Sequence, residues 1–388
     1  MIARIFLILI LLIVLPDLFI HKHYLLRRKG YTTLKRVLYW IPAVVMLVST
    51  CLLAAEKNFA PERTEWLFVY LLLLGIIVIP KAIFAICSFV GLVICRILHK
   101  RHNWGILLGL VLAFFTVYIV LYGSFIGNRR LTVKQVDLSF QSLPRSFDGY
   151  SIALFSDVHV GSFLDDTSFL ERVVSTINDL QADAIVFAGD LQNMFPTELD
   201  GMQSVLSELK AKDGVFSILG NHDYSTYIKA DSTTMALNES LLRSKERSMG
   251  WKLLVNEHQV LRRGADSIVI AGMENAGTNP STRWGDVEKT LAGTDKDCFA
   301  IMLQHDPIVW HDMILAQCQA QLTMSGHTHG GQFKLFGWSP VSWKYPEPAG
   351  LYWEGDRALY VTTGISGFVP FRFGVTPEIV VITLHSGK

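Results

Sequence analysis

Apolar residues are distributed along this chain under two different rules. Up to residue 125 they form long runs, at 2–20, 38–55, 66–95 and 105–123, each long enough to cross a hydrocarbon core of about 30 Å. Beyond that point the runs are short, and each closes on polar residues and glycine. SIALF (151–155) leads into SDVHVGS, AIVFA (184–188) into GD and VFSIL (215–219) into GNHD. FAIML (299–303) leads into QHDP, and LTM (322–324) into SGHTHGG. Long runs predict membrane helices. Short β-branched or aromatic runs predict buried strands.

The sequence therefore divides into a membrane anchor of about four transmembrane helices over 1–125, a charged linker over 126–149 and a globular domain over 150–388. The first run is not followed by a small-residue cleavage site, so it reads as an anchor and not as a signal peptide. The third run is interrupted only by Pro80 and Lys81. As one helix it measures roughly 45 Å at 1.5 Å per residue and must tilt, kink or protrude. It is read here as one helix kinked at Pro80. Two spans would turn the globular domain to the opposite side. Asp17 and Lys81 each neighbour a proline within or near an apolar run, and both are expected to snorkel toward the interface.

Loop charge sets the expected orientation. The stretches HKHYLLRRKGYTTLKR and HKRHN are basic, whereas EKNFAPERTE is acidic on balance. Placing the basic loops in the cytoplasm puts the globular domain on the extracytoplasmic side.

In that domain helical patterns at 166–180 and 198–211 fall between the early strands, which indicates an α/β fold. The later runs SIVIAG, ALYVTTG and IVVITL lack such helices and suggest a second sheet packed on the first. Composition removes several function classes. A formal charge of +1 with no basic stripe argues against nucleic acid as a partner. None of the five cysteines forms a CxxC pair, which argues against thiolate zinc sites and a disulfide framework.

The strand-end residues are Asp157, His159, Asp190, Asn221, His222, His305, His327 and His329. Ligands in open α/β sheets gather beyond the carboxyl ends of strands. Carboxylate, amide oxygen and imidazole together suit Mn²⁺, Fe or Zn²⁺. Eight such groups are too many for one tetrahedral ion and about right for two ions sharing a bridging carboxylate.

The ordered set Asp157-Val-His159, Gly189-Asp190, Gly220-Asn221-His222-Asp223, His305 and Gly326-His327-Thr-His329 resembles the calcineurin-like metallophosphoesterases, most closely the membrane-attached bacterial members whose last motif reads GHTHGGQ. The resemblance covers about residues 150–388 and no motif position is missing. It implies a two-sheet α-β-β-α sandwich; the α-helical transmembrane region that precedes it rests on hydropathy alone, and a bacterial inner membrane is the expected location. It also implies two divalent metal ions, the first held by Asp157, His159 and His329, the second by Asn221, His305 and His327, with Asp190 bridging. His222 would act as general acid to the leaving oxygen, with Asp223 orienting its ring. The implied reaction is hydrolysis of a phosphate ester or pyrophosphate by a metal-bridging hydroxide. The alternative is a catalytically silent membrane scaffold on the same fold, whose signature, lost ligands, is missing.

Two aromatic stretches bear on the substrate. FKLFGWSPVSWKYPEPAGLYW (333–353) carries Trp338, Trp343 and Tyr345, and GISGFVPFRFG (364–374) carries Phe368, Phe371 and Phe373. These aromatics either pack the second sheet and its turns, or grip an acyl chain and meet membrane lipids. The second reading predicts a lipid-linked substrate.

Overall fold

The computed structural model describes residues 1–164, 166–278, 283–295 and 297–387. The chain divides into two compact units, Met1–Ile126 and Gly127–Lys388.

In the first unit, α1 (Phe6–Ile20) continues as a wide π-helical turn at His21–Leu25. Next comes α2 (Thr33–Ala54), whose first turn is capped by the Thr32 hydroxyl. The third apolar run is one continuous helical segment, Thr64–Ile97, formed by α3 (Thr64–Leu73), a π turn at Leu74–Val78 and α4 (Ile79–Ile97). Proline offers no N–H to the preceding turn, and the widened turn lies where Pro80 disturbs the ladder. Then α5 (Gly105–Phe125) closes the unit. Leu7, Leu52 and Phe114 point outward and are more than two-thirds exposed. Helices apolar on every side, with outward faces of this kind, belong in lipid.

Asp17 and Lys81 do not snorkel. Asp17 is buried, with its carboxylate 2.9 Å from the Lys81 ammonium, and the Tyr39 hydroxyl donates to it at 2.8 Å. Opposite charges on α1 and α4 neutralise each other, and a third helix supplies the remaining hydrogen bond. That arrangement removes the need for either side chain to reach the interface.

The second unit holds twelve strands among the described residues. Six make one sheet: β1 (Thr132–Phe140), β2 (Tyr150–Phe155), β3 (Ala184–Phe187), β4 (Val215–Ser217), β5 (Lys252–Leu253) and, after six others, β12 (Glu378–Ser386). The other sheet takes β6 (Glu257–Arg263), β7 (Asp266–Gly272), β8 (Phe299–Leu303), β9 (Leu322–Ser325), β10 (Gly350–Glu354) and β11 (Arg357–Val361). The orders are β1-β12-β2-β3-β4-β5 and β10-β11-β9-β8-β7-β6, and both sheets are mixed. Side chains alternate across the pleat. Ile152 and Leu154 face the second sheet, meeting a core with Ile270, Ile301 and Leu322. Ala153 and Phe155 face the opposite way, toward Leu170, Val173 and Ile177 of α6 (Ser168–Asp179). Val269 and Met302 pack outward from the second sheet against Trp310 and Ile314. The result is the α-β-β-α sandwich.

Three sequence expectations need correction. The stretch 126–149 is not simply a linker, because it contains β1, which pairs in parallel with β12 from the other end of the unit. An edge strand with one solvated face lacks the apolar run that marks an interior strand. The run IVVITL belongs to the first sheet, whereas SIVIAG and ALYVTTG lie in the second. The helix expected over 198–211 is reduced to a turn at Pro196–Leu199 and one turn at Gln203–Leu206.

Candidate metal centre

Strands β2, β3 and β4 run parallel as neighbours, and so do β8 and β9, so the loops after them leave at common ends. Those loops carry all nine sequence candidates. Asp157, His159, Asp190, His327 and His329 have φ between 48° and 69°, five of the twelve non-glycine residues with positive φ among those described. Left-handed backbone at carboxylate and imidazole positions is unfavourable, and its concentration here means that the loops are held tightly by their surroundings. At Gly189 the reason is visible. Its φ is 94°, and a Cβ there would fall 2.8 Å from His305 Nδ1 and 2.6 Å from the Gly220 nitrogen. Gly364, not singled out from sequence, plays the same part on the other side. Its φ is 71°, and a Cβ would meet the Asp157 side chain at 2.6 Å.

Three groups of side chains bring potential ligand atoms within 4.8 Å of one another: Asp157–His159–His329, His159–Asp190–His222 and Asp190–His305–His327. The imidazoles associate in pairs, His159 with His329 at 5.3 Å between ring centroids and His305 with His327 at 5.1 Å. Asp190 lies between the pairs, its Oδ2 3.6 Å from His159 Nε2 and 3.1 Å from His305 Nε2. Its Oδ1 accepts from the His222 backbone N–H at 2.8 Å. Asp157 accepts from the His327 backbone N–H at 3.1 Å, and its Oδ1 lies 3.7 Å from His329 Nδ1.

Whether these residues suit metal ions can be judged from the polar atoms left over. His159 Nε2, Asn221 Oδ1, His305 Nε2 and His329 Nδ1 are buried and make no hydrogen bond. Buried polar atoms almost always find partners, so unsatisfied His159, His305 and His329 nitrogens within these clusters indicate ligands missing there. Three of these side chains are fixed at their other ends. His159 Nδ1 meets Asn193 Oδ1 at 3.0 Å, His305 Nδ1 donates to the Ala188 carbonyl at 2.7 Å, and Asn221 Nδ2 donates to the Tyr227 hydroxyl at 2.7 Å. Such outer contacts fix tautomer and ring direction at metal sites. His327 Nε2 hydrogen-bonds with the Tyr345 hydroxyl at 2.8 Å, which leaves Nδ1 for an ion.

The electrostatics agree. Burial pushes His159 and His329 down to about 3 and His327 well below its ordinary value, so all three offer a neutral lone pair. Burial pulls His305 down as well, but the Asp190 and Asp157 carboxylates outweigh it and raise the ring to about 10. Asp190 resists its own burial, and His305 and His222 hold it well below the usual carboxylate range. The proton favoured between His305 and Asp190 occupies a place suited to a cation. These residues fit divalent metal ions.

Asp223 does not orient the His222 ring. Its carboxylate accepts from the backbone N–H groups of Asp190, Leu191, Gln192 and Gly220 at 2.8–3.2 Å and so ties the two neighbouring loops together. A carboxylate enclosed by four N–H donors has no reason to turn toward an imidazole. The ring is held instead by the Asn193 carbonyl, 2.6 Å from Nδ1, and by Tyr227, stacked at 4.0 Å and 5°. Phe368 approaches at 6.0 Å and 29°. Sequence reasoning missed Asn193, Tyr227 and Glu198, the last of which accepts from the Met194 and Phe195 N–H groups and braces the Asn193 loop. Asn193 and Tyr227 lie within five residues of a motif position and Glu198 eight beyond Asp190, and that proximity is the one signal that could have found them.

Residues 150–331 match the family model described as Calcineurin-like phosphoesterase, and residues 3–128 match that described as Probable Calcineurin-like phosphoesterase, transmembrane domain. A Transmembrane protein with metallophosphoesterase domain from Danio rerio is 31% identical over 278 residues, covering 69% of this chain and 61% of that protein. The metallophosphoesterase YkuE of Bacillus subtilis is 31% identical over 280 residues, covering 68% of this chain and 89% of that one. A UDP-2,3-diacylglucosamine pyrophosphatase, LpxG of Chlamydia trachomatis, is 29% identical over 294 residues, covering 61% and 85%.

Proposed function

The chain belongs to the calcineurin-like phosphoesterase family and is a membrane-bound, metal-dependent phosphoric ester hydrolase, and we propose that it cleaves a lipid-linked phosphate ester or pyrophosphate on the extracytoplasmic side. The observation that carries the hydrolytic reading is that the unpartnered buried nitrogens of His159, His305 and His329 fall in the carboxylate–imidazole clusters of Asp157 and Asp190.

In this reading Asp157, His159 and His329 hold one divalent ion, Asn221, His305 and His327 hold the other, and Asp190 bridges. When bound, the two ions supply an acidified water and offset charge on the phosphoryl oxygens. Mn²⁺, Fe and Zn²⁺ all suit this mixture of oxygen and nitrogen donors. His222 protonates the leaving oxygen through Nε2, because Nδ1 is committed to the Asn193 carbonyl. The Tyr227 stack holds the ring edge-on to His159, whose centroid is 4.8 Å away, and so aims the proton into the site. Asp223 keeps the Asp190 and Asn221 loops in register, a positioning role.

Two observations support the lipid-linked part. Phe368 lies beside the proposed acid, where an acyl chain attached to the leaving group could rest. A relative bears the name of a pyrophosphatase acting on a diacylated sugar nucleotide. The extracytoplasmic placement follows from the basic loops after α1 and α4. A reporter enzyme active only outside the cytoplasm, fused after Ile126, tests it.

The test of function uses detergent-solubilised protein with added Mn²⁺, and compares a chromogenic phosphomonoester, its diester and a diacylated pyrophosphate. Turnover of all three, with preference for the diacylated compound, is expected. Two bound ions per chain with no turnover of any would favour the silent scaffold. Phe368→Ser with Phe371→Ser should lower the rate on the diacylated compound selectively, and unchanged relative rates would end the lipid-linked reading.

A further inference from the structure

The loop after the last motif holds aromatic side chains that neither the sheets nor the site uses. It leaves the site at His329 and returns at Tyr345, which is buried, with its hydroxyl on His327 Nε2. Tyr345 is thus part of the centre and not of an aromatic grip. Between these two fixed points the chain turns outward. Phe336 is 98% exposed, Trp343 82% and Trp338 44%, and the two tryptophans meet edge to face at 5.1 Å. The exposed lysines Lys334 and Lys344 flank them. A nearly fully exposed Phe in one loop with two exposed and touching tryptophans is unusual on a surface meant for water, and marks an interaction site.

We propose that the loop 333–344 is an interfacial anchor that inserts Phe336, Trp338 and Trp343 into the headgroup region of the bilayer. The occupant is a lipid surface carrying anionic headgroups. Tryptophan prefers the water–hydrocarbon boundary, where its ring is buried and its N–H stays wet, and Phe reaches deeper. The flanking lysines match the sign of anionic lipid. The chain itself brings the bilayer close. From the end of α5 at Phe125 to the start of β1 at Thr132 only a short link remains. Six residues span at most about 20 Å. A tether that short keeps lipid at a high effective concentration for any exposed apolar loop. The backbone path from His329 to Tyr345 then joins the metal loop to the lipid surface, so that docking and access to the site share one segment. The proposal depends on the membrane anchor and not on which ester is cleaved.

The test places the full chain in nanodiscs of phosphatidylethanolamine and phosphatidylglycerol containing a lipid with a photoactivatable diazirine near its headgroup. Adducts are mapped by mass spectrometry. Peptides covering 333–344 should carry lipid adducts, and Phe336→Ser with Trp343→Ser should lower their yield at least fivefold. The same double variant should hydrolyse a soluble chromogenic ester in detergent within twofold of the parent, which shows that it is folded. Adducts confined to residues 1–126 would overturn the proposal. So would protein–protein crosslinks between two copies of the loop without lipid adducts, which would make the patch a contact between chains. Loss of all hydrolysis by the parent would count against the proposed function and leave the adduct pattern readable.

Discussion

Both units of this molecule bury charged groups, and they treat them in opposite ways. In the membrane unit Asp17 is closed off: Lys81 neutralises it, Tyr39 donates to it, and the partners come from α1, α2 and α4. In the catalytic unit Asp190 is surrounded by imidazoles whose facing nitrogens have no hydrogen bond. The first arrangement is complete as folded. The second is complete only with ions. A buried polar cluster is structural when its members satisfy one another, and a candidate for chemistry when they leave atoms over and those atoms converge.

The comparison breaks most severely at Asp190. Asp190→Asn should lower turnover by about 10³-fold, or roughly 4 kcal/mol of barrier, and reduce metal measured by elemental analysis below two ions per chain. Full metal content with unchanged rate would remove Asp190 from the bridging position. His222→Ala should cost about 10²-fold or more in kcat while both ions stay bound. The loss should shrink for esters with acidic leaving groups, and an equal loss for all leaving groups would argue against a proton donor. In the membrane unit Lys81→Met should leave catalysis in detergent intact but destabilise the helices by roughly 3 kcal/mol, the low end for breaking a buried pair because Lys81 is partly exposed. Adding Asp17→Asn should recover most of that loss in an unfolding titration, and no recovery would mean that the pair is incidental. Chelation should lower the melting temperature of the catalytic unit only, since ions at a hundredfold over Kd contribute about 2.7 kcal/mol. Tyr345→Phe should have the smallest effect, about 1 kcal/mol, seen as weaker metal retention on dialysis.

The part of the site that could be read from sequence is the part in which chemistry coincides with short motifs. The strand-end positions from Asp157 to His329 needed only apolar runs followed by ligand-type residues. What could not be read depends on distant partners. The destination of the Asp223 carboxylate is decided by four backbone groups on two loops, and no spacing encodes it. Asp17 and Lys81 each look like a lone charge near a proline, and only helix packing reveals the pair. The same holds for β1, whose TVKQVDLSF has too little apolar periodicity to announce a strand until β12 lies beside it.

That last pairing has a consequence in time. Because β12 sits between β1 and β2, the first strand made after the membrane helices has no neighbour when it is synthesised. Thr132 pairs with Glu378, roughly 250 residues later, and at 5–20 residues per second the wait lasts about 12–50 s. For that interval β1 is an unpaired edge. The charged and polar residues Lys134, Gln135 and Asp137 along it make it a poor template for foreign strands. Once β12 arrives, Lys134 takes up Glu378 at 2.5 Å. The charge that guards the strand during synthesis then becomes a bond that closes the sheet.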